Sequence, residues 1–218
     1  VAIAVRYRKY MPLLFMLIFP MLGAIYGWVD KPGKVIYHLT TRLDDAIPFV
    51  KYFAIPYGVW IFYIYLCVLY FFKKDIRVYY RALMVYTLCA LVCYGIYSGF
   101  QTTVPRPVLV GHDPFTRLVA FIYHRDRPFN CFPSIHVFSS YMVFRLLAAS
   151  GFRNARNLAL IGGTSTAIIL STLFIKQHAI MDGIAGILLV EIVLAGVMYA
   201  ERLLSGGQQE RQRGTFGA

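Results

Sequence analysis

An all-α integral membrane bundle of six transmembrane helices, with both termini in the cytoplasm, is the fold this sequence predicts. Three observations predict it. The first is composition: of 218 residues, 59% are apolar and only 15% charged, with a mean hydropathy of +0.60, too oily for an ordinary soluble domain of that length. The second is the spacing of apolar residues. A spanning helix needs about 20 of them, and six windows qualify, roughly 11–29, 52–72, 82–104, 134–149, 157–175 and 180–200, the fourth being the shortest. The third is the way charge is dealt out between the spans. Grouping ends and connections alternately, one side carries thirteen Lys and Arg against three acids, or +10, and the other nine against six, or +3; Glu191, inside the last window, completes the formal +12. The positive-inside rule then places both termini in the cytoplasm. A nucleic-acid binder would also be basic, but its basic residues would not alternate with apolar spans, so no nucleic-acid partner is expected. Residues 1–204 read as a single transmembrane domain and 205–218, rich in Gly, Gln and Arg, as a disordered cytoplasmic tail.

Along the chain, the first span follows Arg6-Tyr7-Arg8-Lys9. It is longer than the apolar core of a secretory signal and no small-residue cleavage site follows it, so an uncleaved anchor is expected. Between the first two spans, Leu39, Leu43, Ala46, Ile47 and Val50 recur at helical intervals. That pattern suits a short interfacial helix covering an entrance for lipid, with a solvated connector as the alternative. Gly23 and Gly27, Gly95 and Gly99, and Gly162-Gly163 lighten three spans, as close helix packing would require. Cys67, Cys89 and Cys93 fall inside spans and read as small apolar residues; Cys131 lies beside a polar cluster. His38, His112 and His124 have no partner at useful spacing and read as solvated loop residues. Glu191 lies nine residues beyond Asp182, too deep for a shared ligand, and is expected to make a hydrogen bond across the bundle.

Two polar clusters interrupt the oily pattern: Cys131-Phe-Pro-Ser-Ile-His136, and Ser171 through Lys176, Gln177 and His178 to Asp182. Ionisable groups at the ends of apolar spans are costly and point to a functional site. Pro133 suits the first turn of a helix. The free amides of that turn, with the Ser134 hydroxyl, would bind an anion, and His136 would be near enough to exchange a proton with it. His178 and Asp182, four apart, share a helical face, where the carboxylate can hold one imidazole nitrogen and leave the other as a nucleophile. Lys176 adds a cation and Gln177 an amide. Arg106, at the end of the third span, and Arg127, just before the first cluster, are natural clamps for phosphate oxygens. Cations, two imidazoles and a carboxylate at one bilayer surface describe a phosphate-ester site.

These residues carry a resemblance. Pro133-Ser134-Ile135-His136 resembles the Pro-Ser-Gly-His signature of the type-2 phosphatidic acid phosphatase superfamily, and Ser171-x6-His178-x3-Asp182 its later Ser-Arg-x5-His-x3-Asp signature. Arg106-Pro107 resembles the end of its first signature, Lys-x6-Arg-Pro. The likeness extends along the chain in span number and motif order. Three positions depart: the signature lysine falls at Gly99, the glycine at Ile135 and the second-signature arginine at Thr172. Lys176 can approach the same phosphate from the other end of the motif. The stretches around Arg106, His136 and Lys176-Gln177-His178 are more like the branch that includes inositol phosphorylceramide synthases.

The resemblance implies a membrane enzyme that cleaves a lipid phosphate monoester or pyrophosphate at the outer surface through a phosphohistidine, without metal or cofactor. His178 would be the nucleophile, Asp182 its orienting carboxylate and His136 the proton donor; Arg106, Ser134 and Lys176 would bind the phosphate, with Arg127 a further candidate. The branch likeness implies, as an alternative, transfer of the phosphoryl-containing group to an alcohol. A non-enzymatic lipid-binding or transport bundle is the third expectation; a transporter would place its polar groups at mid-membrane. A metal held by His136, His178 and Asp182 lacks the usual paired-histidine spacing. Expected partners are the lipid phosphate and membrane lipids; the oligomeric state has no signature.

Overall fold

The computed structural model describes the backbone of residues 8–33 and 35–215 and the side chains as far as Ser205. Arg6, Lys34, Glu210, Arg211 and Arg213, which enter the charge count above, lie outside these described residues or side chains. The fold is predominantly helical, and five helices are long and apolar enough to cross a membrane. The first is a 3-10 turn, Met11–Leu17, running into α1 (Ile18–Val29). The second is assembled from a 3-10 turn at Lys51–Phe53, α3 (Ala54–Gly58) and α4 (Trp60–Lys74). The third is α5 (Ile76–Gly99), and the others are α8 (Ala155–Phe174) and α9 (Ile180–Thr215). The sixth window becomes α9, whose backbone stays helical across most of the segment read as a tail. The fourth becomes α7 (Ile135–Ala149), apolar but only 15 residues long.

The third helix is displaced from its window of 82–104. It starts six residues earlier because Asp75 caps it, its carboxylate accepting from the amides of Arg77 at 2.8 Å and Val78 at 3.4 Å. A hydropathy window passes over this charged first turn. At the other end Gln101–Thr103 leaves the helix as strand β2, pairing in parallel with β1 (Ile36–His38), Ile36 opposite Gln101 and His38 opposite Thr103. The connection between the first two spans contains α2 (Arg42–Ala46), shorter than its apolar periodicity suggested. One further helix, α6 (Pro114–Arg125), fills a connection in which the sequence pattern suggests only solvated loop. The segments 30–50, 100–134 and 175–179 therefore gather at one end of the bundle.

The core is a band of aromatic and aliphatic side chains, with Phe71, Tyr79, Tyr97, Phe138 and Met142 fully enclosed. Of the glycines expected to permit close helix contact, a β-carbon at Gly23, Gly27, Gly95, Gly99 or Gly163 would meet nothing within 4 Å, whereas at Gly162 it would come within 3.0 Å of the Phe144 ring. The close approach that matters for the site is at Gly186. A β-carbon there would lie 3.1 Å from the Ser134 carbonyl oxygen and 3.2 Å from the Phe138 amide, so α9 rests directly on the first turn of α7. Glu191 ties the same two helices, accepting from Tyr141 at 2.6 Å and pairing with Arg145 at 2.9 Å, the cross-bundle bond its depth suggested.

Candidate active site

The turn between α8 and α9 delivers the second polar cluster. The amides of Gln177 and His178 both donate to the Thr172 carbonyl, at 2.9 and 3.0 Å, closing α8 tightly. Lys176 takes a left-handed backbone conformation, φ 53°, which is uncommon for a residue with a β-carbon and is tolerated where surrounding bonds over-determine it. Its ammonium reaches across to donate to the Asp44 carbonyl of α2 at 2.7 Å. The next helix is capped from within, since the Asp182 carboxylate accepts from the Ala179 amide at 2.8 Å. The two clusters are stitched together where the Ser134 amide donates to the Asp182 carbonyl at 3.1 Å.

His178 is held by two oxygens. Its Nδ1 lies 2.9 Å from the Cys131 carbonyl and 3.4 Å from an Asp182 carboxylate oxygen. A hydrogen bond to the carbonyl puts the neutral ring's proton on Nδ1 and leaves the lone pair on Nε2. Asp182 is thus a close but secondary partner, and the main orienting group is a peptide oxygen that no side-chain motif could reveal.

His178 forms part of the wall of a hollow of about 300 Å³, facing α2 and the segments just outside the bundle, whose lining includes Thr40, Asp44, Asp45, Arg106 and Lys176. Arg106 donates to the carbonyls of Tyr123 at 3.0 Å and Asp126 at 2.6 Å and to the Gln177 side-chain oxygen, and lies 4.3 Å over the Tyr123 ring. Burial lowers its pKa, but a guanidinium stays charged in proteins. Its Nε is buried without a partner among the described residues. Among the described residues neither Arg106 nor Lys176 has a carboxylate within ion-pair distance; both are hydrogen-bonded to neutral oxygens, while the Asp126 carboxylate acts on Arg106 and the Asp44 carboxylate on Lys176 from further away.

His136 sits one layer behind. Its ring centroid is 5.8 Å from that of His178, and it is sandwiched between Tyr57 at 4.2 Å and Trp60 at 4.1 Å. It does not line the hollow. The Tyr57 hydroxyl lies 3.4 Å from His136 Nδ1 and donates to the Asp126 carboxylate. Tyr57, Trp60 and Asp126 were missed by sequence reasoning. Two of them look like ordinary span aromatics, and Asp126 was simply one charge in an outer loop.

The remaining expected residues divide. Ser134 is fully buried and acts as the N-cap of α7, its hydroxyl accepting from the Val137 amide at 3.3 Å; the helix accordingly begins at Ile135, not at Pro133. Arg127 is exposed, does not line the hollow, and acts electrostatically on Asp30. The Cys131 thiol, His178 and Asp182 offer sulfur, nitrogen and oxygen atoms within 4.8 Å of one another, a donor set a metal could use. Three observations weigh against that use: burial pushes the Cys131 thiol up, disfavouring thiolate, Nδ1 of His178 is engaged by a carbonyl, and one Asp182 oxygen caps α9. No family model matches the chain, and neither a curated protein nor a solved structure matches it.

Proposed function

We propose that this chain is a multi-pass membrane enzyme that cleaves a lipid phosphate monoester or pyrophosphate through a phosphohistidine. One observation carries the reading: Arg106 and Lys176, neither within ion-pair distance of a carboxylate among the described residues, line one hollow with His178, whose Nδ1 is engaged by a carbonyl, and with Asp44 and Asp45, while a second imidazole lies 5.8 Å from His178 between ring centroids. Such a hollow suits an anion with a phosphorus atom open to attack. His178 Nε2 forms the N–P bond as the P–O bond to the lipid breaks, and the departing oxygen takes a proton from His136. Water then attacks the phosphohistidine, gives its proton to His136 and releases phosphate. Arg106 and Lys176 neutralise the oxygens around the pentavalent phosphorus. In this reading α7 serves as a sixth span, both termini are cytoplasmic, and the hollow opens at the extracytoplasmic surface. The signatures around Arg106, His136 and His178 make the type-2 phosphatidic acid phosphatase superfamily the family of choice.

The same two steps with an alcohol replacing water make the enzyme a phosphotransferase. That second reading is favoured by the sequence around His178, where Thr172 and Lys176-Gln177 replace the hydrolase arginine pattern. The purified chain should be assayed on a panel of radiolabelled lipid phosphates, with and without alcohols and in the presence of a chelator. Free phosphate supports hydrolysis, and a new labelled lipid supports transfer. Activity that vanishes in chelator, or no turnover on any substrate, rejects a metal-independent phosphoryl transfer.

A further inference from the structure

The helix α6 carries an inference that does not depend on the phosphoryl-transfer reading. Its 12 residues, Pro114–Arg125, include no acid. One face is buried, with Thr116, Val119 and Ile122, and Val119 and Ile122 share an apolar cluster with Ala54 and Tyr57 of α3. The first turn is fastened to the same stretch of chain: Phe115 meets the Tyr52 ring edge-on at 4.8 Å, and Asp113 pairs with Lys51 at 2.6 Å. Lys51 opens the second span, Lys51–Lys74. The helix α6 therefore lies alongside the first turns of that span, at the level where its apolar run begins.

The opposite face is open. At about 100° per residue, Arg117 and Phe121 fall on the far side of the helix from Val119, and Arg125 continues their stripe by one turn. All three are exposed, Phe121 at 61%. Among the described residues neither arginine has a carboxylate within ion-pair distance. The acids flanking the helix are turned elsewhere, Asp113 to Lys51 and Asp126 to the Tyr57 hydroxyl. An exposed ring between two arginines suits neither open water nor hydrocarbon. It suits the headgroup layer, where the ring enters the acyl boundary and the guanidinium groups bond phosphate oxygens.

We propose that the stripe of Arg117, Phe121 and Arg125 is a seat for the headgroups of anionic phospholipids beside the second span. Charge decides for lipid over a second copy of the chain: two copies meeting through this stripe about a two-fold axis would set arginines against arginines. An anionic leaflet supplies the missing negative charge, at a gain of about fivefold in association for each arginine near the surface. The seat adjoins the hollow through Tyr123. From the inner side of α6 this residue holds the Arg106 guanidinium, with its carbonyl at 3.0 Å and its ring at 4.3 Å, so lipid gathered on α6 stands next to the element that positions that cation.

The four native cysteines are buried, so a nitroxide can be attached selectively at position 121 in Phe121→Cys. In nanodiscs of phosphatidylcholine and phosphatidylglycerol, this label should meet a water-soluble nickel chelate several-fold less than a label on an unfolded peptide does. It should meet it more than a label in Leu66→Cys, which is exposed within the second span. Replacing both arginines, Arg117→Gln with Arg125→Gln, should raise nickel contact at position 121. Neither arginine lines the hollow, so native mass spectrometry of the otherwise unaltered chain reads the seat directly. Its tightest association with phosphatidylglycerol should weaken about fivefold for each arginine replaced, while association with phosphatidylcholine stays the same. Nickel contact at position 121 equal to that of the peptide would overturn the seat by placing the stripe in water. A label shielded from both nickel and oxygen would overturn it by showing protein on the stripe, as would phosphatidylglycerol association that ignores both replacements.

Discussion

The two histidines occupy opposite kinds of surroundings although their rings lie only 5.8 Å apart. His178 lies on the wall of a largely apolar hollow, anchored by a peptide oxygen, with Arg106 and Lys176 along the same lining. His136 is clamped between two aromatic faces, behind the hollow, with one hydroxyl for company. A nucleophile needs an approach path and nearby positive charge where negative charge builds up. A proton donor needs a fixed distance and a controlled protonation state more than it needs open space. The contrast divides the chemistry between the rings more firmly than the motifs do, since both motifs offer a histidine near a helix start.

The largest expected effect breaks the comparison on the side that lines the hollow. His178→Ala should abolish turnover and remove any acid-labile phosphoenzyme, while circular dichroism shows an unchanged helical bundle; a folded variant with normal activity would refute the assignment. His136→Ala should cost less, about 10²–10⁴ in kcat, the usual worth of a general acid. Because nucleophilic attack remains available, rapid-quench labelling should still find phosphoenzyme, formed slowly. Equal and complete loss of labelling in both variants would erase the division of roles.

The difference also shows what the sequence could and could not express. Apolar runs reported the helices well because spanning length and oiliness are local properties; the His178-Asp182 spacing does bring the pair within 3.4 Å, but His178 lies in the turn before α9 and only Asp182 is on the helix, so the shared helical face is replaced by a turn packed on the helix start. What stayed hidden is non-local or backbone-borne. The Cys131 carbonyl that anchors His178 looks like every other peptide oxygen. Tyr57 and Asp126 are 69 residues apart and carry no joint pattern. Ser134 illustrates the reverse: a hydroxyl in a suggestive motif is used up in capping α7, a role that any Ser at a helix start can take. Amphipathic α6 is not legible as a span because its 12 residues are too few to cross a membrane.

A smaller effect sharpens the comparison, because the hollow beside His178 is closed by a strap that the surroundings of His136 do not share. Asp44, the only carboxylate on α2 that is itself buried, joins that helix to the start of α9. One oxygen accepts from the Ile180 amide at 2.7 Å, and the other accepts from the Thr41 amide at 2.8 Å and the Thr41 hydroxyl at 2.7 Å. Burial alone would raise its pKa, but the bonds from Ile180 and Thr41, with the Lys176 charge, outweigh burial and hold the carboxyl below the usual carboxylate range. A depressed pKa in the folded chain means that its stabilisation is fully present above the ordinary aspartate range and is lost as pH falls through the folded value. Asp44→Asn offers only one acceptor oxygen to three donors, so one arm of the clasp is left unpaired at a cost of about 1–3 kcal/mol. The variant should therefore unfold at a lower temperature than the unaltered chain at neutral pH, and the gap should close in strong acid, where the native carboxyl is protonated too. Activity should fall only a few-fold, through a looser wall opposite Lys176, with KM rising more than kcat falls; a gap in unfolding temperature that persists unchanged into strong acid would show that the carboxylate charge is not what fastens the strap.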